Sequence, residues 1–244
     1  MTNKIKYGVI GTGVMGQEHI ENINIIENAE VVAICDTNEN SRNQTKSLVK
    51  DSTKFYNDLH ELISNNIADA YIIATPNFTH INTLEHILKT NKHLLIEKPL
   101  CTTTEDCKKF ELMSHNYSKI IWTGMEYRYM PPVKQLIKEV HNNIIGKIKM
   151  LSIREHRFPF LHKVDDWNRF SVNTGGTLVE KCCHFFDLMR LVIQSDPAKV
   201  YASGNQDVNH LDEKYNGKTP DIIDNAFVIV DFENGVRGML DLCM

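Results

Sequence analysis

Three groups of residues in this chain have the types and spacing that chemistry needs. The first is Lys98, which sits between Glu97 and Pro99 directly after an apolar run, His93 to Ile96. A lysine there can polarise or deprotonate an alcohol; the competing reading is a solvated surface lysine. The second is Glu180 with His184, four residues apart in a helical pattern. On one continuous helix that spacing places both on one face, Cβ atoms about 6 Å apart. A carboxylate and an imidazole so placed can share a hydroxyl group of a bound sugar or cyclitol; the competing reading is an ordinary helical pair with a satisfied histidine. Asp187, three residues past His184, is expected to be structural and to orient it. Lys181 falls on another face and is expected to be solvated, and Cys182 and Cys183 are expected to serve packing.

The third group is Gly11, Gly13 and Gly16, a G-x-G-x-x-G run, with Asp36 about 20 residues beyond it. Gly11 allows a tight turn out of a strand. Gly13 lets the backbone approach a pyrophosphate, whose charge the following helix N-terminus stabilises. Gly16 lets that helix pack close to the sheet, and Asp36 accepts hydrogen bonds from ribose hydroxyls. The competing reading is a glycine-rich turn in some other α/β protein. A 2′-phosphate is repelled by a carboxylate, and no arginine stands beside Asp36, so NAD(H) is expected over NADP(H). Arg42 reaches that position only if the loop bends.

The elements must bring these residues together. Apolar runs at Tyr7–Ile10, Val31–Cys35, Phe55–Tyr56, Ala70–Ala74, His93–Ile96 and Lys119–Thr123 alternate with helical patterns. Asn57 is expected to cap the helix that runs through Ile63. Strands alternating with helices predict a parallel sheet with right-handed crossovers, and ligands on such sheets sit at the carboxyl ends of strands. Gly11, Asp36, Thr75–Pro76–Asn77 and Glu97–Lys98 are all placed there. Past residue 124 the rhythm changes. A helix is expected at Pro131–His141, an alternating strand at Ile148–Arg157, and a long loop over 158–173. One helix is expected from Gly175 to Gln194, then strands at Val200–Gly204, Ala226–Phe232 and Val236–Leu242. The last two are joined by Glu233–Asn234–Gly235, with positive φ expected at both Asn234 and Gly235. The predicted architecture is therefore α/β: a doubly wound parallel sheet over residues 1–123, then an α/β domain over 124–244 with a largely antiparallel open sheet.

The 244 residues carry 27 basic and 31 acidic side chains, a net charge of −4, with 42% hydrophobic content. Nothing basic points to nucleic acid, and no apolar stretch is long enough for a membrane span. The N-terminus enters a strand at once, so no signal peptide is expected. Six scattered cysteines without a C-x-x-C pair predict reduced thiols, no metal site and a cytoplasmic protein. Val236–Met244 ends inside an apolar strand, which predicts a fragment with further strands beyond it.

G-T-G-V-M-G (11–16), A-T-P-N-F-T-H (74–80), E-K-P-L (97–100) and G-G-T-L-V-E-K-C-C-H-F-F-D (175–187) resemble the glucose–fructose oxidoreductase/inositol dehydrogenase (Gfo/Idh/MocA) family, in order along the whole chain. The resemblance implies a nicotinamide domain followed by a substrate-binding and oligomerisation domain. It implies that Lys98 is the catalytic lysine and His184 the catalytic histidine. Glu180 falls where many members carry aspartate, which keeps the charge and adds a methylene. Thr12, Val14 and Met15 match the phosphate turn, and Thr75, Pro76, Asn77, His80, Glu97 and Lys98 match positions near the cofactor. Tyr127 and Arg128 match a segment bordering the substrate, with Arg157, Trp167 and Asn168 as further substrate candidates. The implied activity is an NAD(P)-dependent dehydrogenase acting on a secondary alcohol of a small polyhydroxylated substrate, in a homo-oligomer when full length. The alternative is a sugar-responsive regulator that binds nucleotide without turnover. Members commonly exceed 300 residues, in keeping with the expectation of a fragment.

Overall fold

The computed structural model describes residues 4–244. The chain divides into two compact units. One runs to Gly124 and takes in Lys163–Trp167; the other comprises Met125–His162 and Asn168–Met244.

In the first unit, strands and helices alternate as β1 (Ile5–Ile10), α1 (Val14–Asn24), β2 (Ala29–Cys35), α2 (Glu39–Thr45), β3 (Lys54–Tyr56), α3 (Leu59–Asn65), β4 (Ala70–Ile73), α4 (His80–Ile87), β5 (His93–Ile96), α5 (Thr104–Ser114) and β6 (Ile121–Thr123). The six strands form one sheet in the order β3-β2-β1-β4-β5-β6, with every pairing parallel. All four residues of β4 are buried, as expected for a central strand covered on both faces. On one face Ile20 and Ile23 of α1 pack with Val9, Val31, Ile34 and Ile72. On the other, Leu62, Leu84, Ile87 and Phe110 from α3, α4 and α5 pack with Ile10, Ile73 and Ile96. The parallel sheet read from the sequence is thus present and doubly wound. Its strand order reverses between β1 and β4, the place where such sheets open a crevice at their carboxyl ends.

Local chemistry sets the helix starts. Asn38, Asp58 and Thr103 each accept a hydrogen bond from the amide three residues on, which satisfies an otherwise orphaned donor. The α3 cap is therefore Asp58, not Asn57: Asp58 Oδ1 takes the Glu61 amide at 2.9 Å, and an ionised acceptor at a helix N-terminus has both the bond and the dipole in its favour.

The second unit holds α6 (Pro131–His141), β7 (Met150–His156), α7 (Ser171–Thr174), α8 (Thr177–Glu180), α9 (Cys183–Ile193), β8 (Pro197–Asn205), β9 (Asn225–Phe232) and β10 (Arg237–Cys243). Its sheet order is β7-β10-β9-β8. β8–β9 and β9–β10 are antiparallel and β7–β10 is parallel, so the sheet is mixed. Cys182, Phe185, Met189 and Ile193 pack against Ala226, Val228, Val230, Leu240 and Leu242. In the hairpin, Gly235 alone has positive φ, at +82°. The Gly235 amide bonds to the Phe232 carbonyl and the Phe232 amide to the Val236 carbonyl. This is a three-residue loop whose last position needs the left-handed conformation, so Asn234 stays in the ordinary region.

The expected single helix from Gly175 to Gln194 is interrupted. Gly175 and Gly176 have φ of +79° and +84° and separate α7 from α8. A second break follows Glu180. There both Lys181 N and Cys182 N bond to the Thr177 carbonyl, at 3.0 and 3.3 Å. An i→i−5 bond widens the turn by one residue, and α9 starts afresh at Cys183. Among the described residues, no helix is long and apolar enough to cross a membrane.

Candidate active site

The predicted residues fall in both units, and each set is built within its own. In the first unit the glycine turn leaves β1 at Gly11, whose φ is +85° and where an added Cβ would sit 2.6 Å from the backbone of Ala74 and Thr75. At Gly16 an added Cβ would lie 2.0 Å from the Gly11 carbonyl oxygen, so α1 packs on the turn only because that position is bare. Gly13 differs: it opens α1, no side chain caps the helix, and no atom lies within 4 Å of the point where its Cβ would be. Thr12 is buried, Met15 half-buried and Val14 exposed. The space over Gly13, beside a helix N-terminus, fits an anionic group approaching backbone amides.

Asp36 stands just past β2, next to this turn. Its Oδ2 accepts from Thr12 N at 2.7 Å and Thr12 Oγ1 at 3.0 Å, and its Oδ1 accepts from Asn38 N at 2.8 Å. The carboxylate is therefore fixed before any ligand arrives. Arg42, one turn into α2, donates to the Asp36 carbonyl, so it lies closer to Asp36 than sequence distance suggests.

The β4 and β5 ends carry the remaining candidates. Asn77 is 6% exposed, and its Nδ2 has no hydrogen-bond partner within the protein. A buried amide left in that state is costly unless a ligand completes it, a second sign that this crevice fits a cofactor. Thr79 Oγ1 donates to the Pro76 carbonyl at 2.7 Å and lies 2.8 Å from Thr75 Oγ1. His80 is fully buried and works as a brace. Its Nε2 lies 3.0 Å from the Thr75 carbonyl, and its Nδ1 lies 3.0 and 3.3 Å from the Pro99 and Leu100 carbonyls. It ties the β4 loop to the β5 loop. Burial lowers its pKa despite the opposing pull of those carbonyls.

Lys98 is half-buried and precedes a cis peptide bond to Pro99. Its backbone amide donates to Glu97 Oε2 at 3.2 Å, while Glu97 Oε1 lies 2.6 Å from His19 Nε2 on α1. Burial alone would raise the Glu97 pKa. The hydrogen bond and charge of His19, with the neighbouring Lys98, reverse this and hold the carboxyl below its ordinary value. His19 was legible in the sequence only as part of the α1 pattern; no short-range signal links it to a residue 78 positions away.

In the second unit Glu180 is 3% and His184 is 2% exposed. The break after Glu180 places them at the end of α8 and the start of α9 rather than on one continuous helix. His184 stacks face to face on Tyr127, with ring centroids 4.1 Å apart and planes 7° apart, and its Nε2 is 3.4 Å from Glu126 Oε1. Asp187 does not hold His184. It takes the Arg128 guanidinium in a two-point pair, Arg128 Nε to Oδ2 at 2.6 Å and Nη2 to Oδ1. Lys181 overturns its expectation of a solvated side chain. It is 7% exposed, donates to the Tyr127 hydroxyl and lies 3.3 Å from Glu155 Oε1. The widened turn rotates it inward. In this unit Glu126 and Glu155 are the residues that sequence reasoning missed, and Lys181 is the one it misplaced.

The weaker candidates serve the long loop. Arg157 donates to the Phe158 carbonyl at 3.3 Å, with its guanidinium 4.7 Å above the Phe158 ring. In the first unit Trp167 meets Phe78 edge-on at 6.3 Å, with Lys163 Nζ 4.5 Å from its ring centre. Asn168 is wholly buried, its Nδ2 donating to the Leu161 carbonyl at 3.1 Å.

Two family descriptions match the chain: an oxidoreductase family with an NAD-binding Rossmann fold over residues 5–125, and the C-terminal α/β domain of that oxidoreductase family over 137–244. The chain is 32% identical over 239 residues to the myo-inositol 2-dehydrogenase of Thermotoga maritima, covering 97% of this chain and 68% of the relative. The crystal structure of a probable dehydrogenase from Thermotoga maritima superposes with a TM-score of 0.81 at 30% identity, over 97% of this chain and 68% of that one. Levoglucosan dehydrogenase, in complex with NADH and levoglucosan, shares the fold with a TM-score of 0.84 at 19% identity, over 98% of this chain and 66% of that one. The chain thus spans about two thirds of the length of the proteins it matches. A doubly wound nicotinamide-binding unit with its glycine turn and Asp36, followed by the mixed-sheet unit that carries Glu180 and His184, makes this chain a member of the Gfo/Idh/MocA oxidoreductase family.

Proposed function

We propose that the chain is an NAD-dependent dehydrogenase that transfers a hydride between the cofactor and a secondary alcohol or ketone of a sugar or cyclitol. One observation carries the reading: the adjacent strands β2, β1, β4 and β5 present Asp36, Gly13, Asn77 and Lys98 at their carboxyl ends, beside open space over a helix N-terminus. Bound there, a nicotinamide dinucleotide supplies the hydride acceptor for oxidation and the donor for reduction. The amides at the start of α1 would hold its pyrophosphate, Asp36 would accept from its ribose hydroxyls, and Asn77 would donate its buried amide. Lys98 takes the hydroxyl proton as the carbinol carbon gives up hydride, and returns it in the reverse reaction. Glu97, held ionised by His19, fixes the backbone from which Lys98 projects. His184 and Glu180 are assigned to the substrate, His184 as a further proton carrier and Glu180 as an acceptor for a neighbouring hydroxyl.

The Asp36 carboxylate favours NAD(H), because a 2′-phosphate there would meet like charge. A small polyhydroxylated substrate is supported by the names of the relatives and by the charged and aromatic groups around His184. A homo-oligomer is supported by the uncovered sheet face, where Tyr201, Phe227 and Ile229 are 51%, 63% and 43% exposed.

The test is a panel of inositols and sugars with NAD⁺ and NADP⁺, reading reduced cofactor, on the chain and its Lys98→Ala variant. The expected result is turnover of at least one polyol by the parent and a loss of about 10²–10⁴-fold in kcat in the variant, with NADH affinity retained. Turnover that survives the substitution would remove Lys98 from the chemistry. NADH binding with no turnover of any polyol by the parent would instead favour the regulator.

A further inference from the structure

We propose that Tyr127 is a positioning residue for His184 and that the buried Lys181 locks Tyr127 in place. This rests on the assignment of His184 to the substrate. Three consecutive residues of the turn Glu126–Tyr129 each reach the region where α8 breaks and α9 begins. Glu126 Oε1 approaches His184 Nε2 at 3.4 Å, the Tyr127 ring stacks on the imidazole, and Arg128 pairs with Asp187. Tyr127 also meets Phe185 edge-on at 5.8 Å. The turn therefore grips the α8–α9 break at residue 181 and the start of α9 at residues 184, 185 and 187.

Lys181 gives this grip its cost and its purpose. Burying an ammonium is unfavourable unless charge and hydrogen bonds compensate. Here Glu155 on β7 supplies a carboxylate and the Tyr127 hydroxyl supplies an acceptor. The Phe185 ring centre lies 5.7 Å from Lys181 Nζ, within reach of the attraction between a cation and a ring, while Lys181 meets Tyr127 at its hydroxyl end. An apolar residue in this place would pack at less cost. What the lysine adds is direction: it anchors the far end of the tyrosine whose face lies on His184. An imidazole has two side-chain torsions, and the second is broad and soft. A parallel stack at 4.1 Å restricts that freedom and fixes the direction in which the ring edge points. Pre-setting a proton-carrying group in this manner is worth activity because small misplacements are expensive.

The experiment uses the full chain and the variants Tyr127→Leu, Tyr127→Phe and Lys181→Met. Its readouts are kcat and KM for a polyol found by the panel, NADH affinity, and the imidazole NMR signal of His184, assigned by its loss in His184→Gln. A stacked imidazole is displaced upfield by the ring beneath it. Tyr127→Leu is expected to lower kcat by about 10²-fold, leave NADH affinity unchanged and abolish the upfield displacement. Tyr127→Phe keeps a ring to stack but loses the hydroxyl that Lys181 holds, so it is expected to retain more kcat than Tyr127→Leu and to show a reduced displacement, as Lys181→Met does. Lys181→Met is expected to reduce the displacement, because the phenol loses its anchor. Equal loss of kcat in the Phe and Leu variants would overturn the proposal and give the hydroxyl a direct role. A His184 signal that does not move in Tyr127→Leu would overturn it as well. If the parent turns over no polyol, the dehydrogenase reading falls, while the NMR comparison still decides this one.

Discussion

Asp36 is the residue proposed to choose between the two nicotinamide cofactors, and its hydrogen bonds say how. Thr12 and Asn38 hold the carboxylate from three directions, so it cannot swing away to admit a phosphate. Replacing Asp36 by Ser and Thr37 by Arg removes the repelling charge and adds a cation. The ratio of NADPH to NADH affinity is expected to rise at least tenfold, equivalent to about 1.4 kcal/mol, as measured by fluorescence titration. An unchanged ratio would take cofactor choice away from Asp36. Arg42 already lies beside the Asp36 carbonyl, so the single change Asp36→Ser should give part of the shift. At this same scale Lys181 teaches a separate point. A lysine beside a glutamate in a helical pattern reads as solvated, and only the widened turn at Cys182 reveals that it faces inward.

At the scale of the element, the glycine turn and α1 make a contrasting pair of predictions. Gly16→Ala pushes a methyl group into the Gly11 carbonyl, with 2.0 Å between the atoms. The helix must retreat from the sheet, and overpacking of this kind costs about 1–3 kcal/mol. A lower melting temperature and weaker NADH binding are expected together. Gly13→Ala adds the same methyl group to open space at φ −65°. It should change stability by less than about 1 kcal/mol yet weaken NADH binding, because the space it fills is where the pyrophosphate is proposed to approach. Calorimetry and titration on the two variants separate these outcomes. Normal NADH affinity in Gly13→Ala would show that the dinucleotide does not lie over α1.

For the molecule as a whole, the acid limit of stability is set in part by Glu213, which ties the long loop of the second unit together. It accepts from Arg169 Nε at 2.9 Å and from the Tyr215 hydroxyl at 2.8 Å, and its Oε1 lies 2.7 Å from His210 Nδ1. Burial would raise its pKa; those three partners, with the charge of Arg169, outweigh burial and bring it down to about 2. An unfolded glutamate titrates near 4.3. The stabilisation is therefore complete above about pH 4.3 and lost as pH falls towards about 2. Glu213→Gln should lower the melting temperature at pH 7 by a few degrees, at roughly 2–4 °C per kcal/mol, and flatten its decline below pH 4.3. An identical acid decline in both proteins would show that Glu213 contributes nothing to it. Much of this molecule was legible beforehand because its signals are local. Central parallel strands must be continuously apolar, a turn at a phosphate site must be bare at fixed intervals, and Asn-Gly marks a hairpin, although only Gly235 of the two expected positions is left-handed. What stayed hidden depends on partners far apart in the chain: His19 with Glu97, Tyr127 with His184, Lys181 with Glu155, Arg169 with Glu213. The chain alone determined the doubly wound sheet, the dinucleotide turn and the lysine at the end of β5, since each follows from spacing within a few tens of residues. Only the tertiary structure decided that α8 and α9 are separate helices, that Lys181 is interior and that Asp187 serves Arg128. Those outcomes turn on one extra residue in a helical turn and on which buried charge finds which partner, and neither is written in any local pattern.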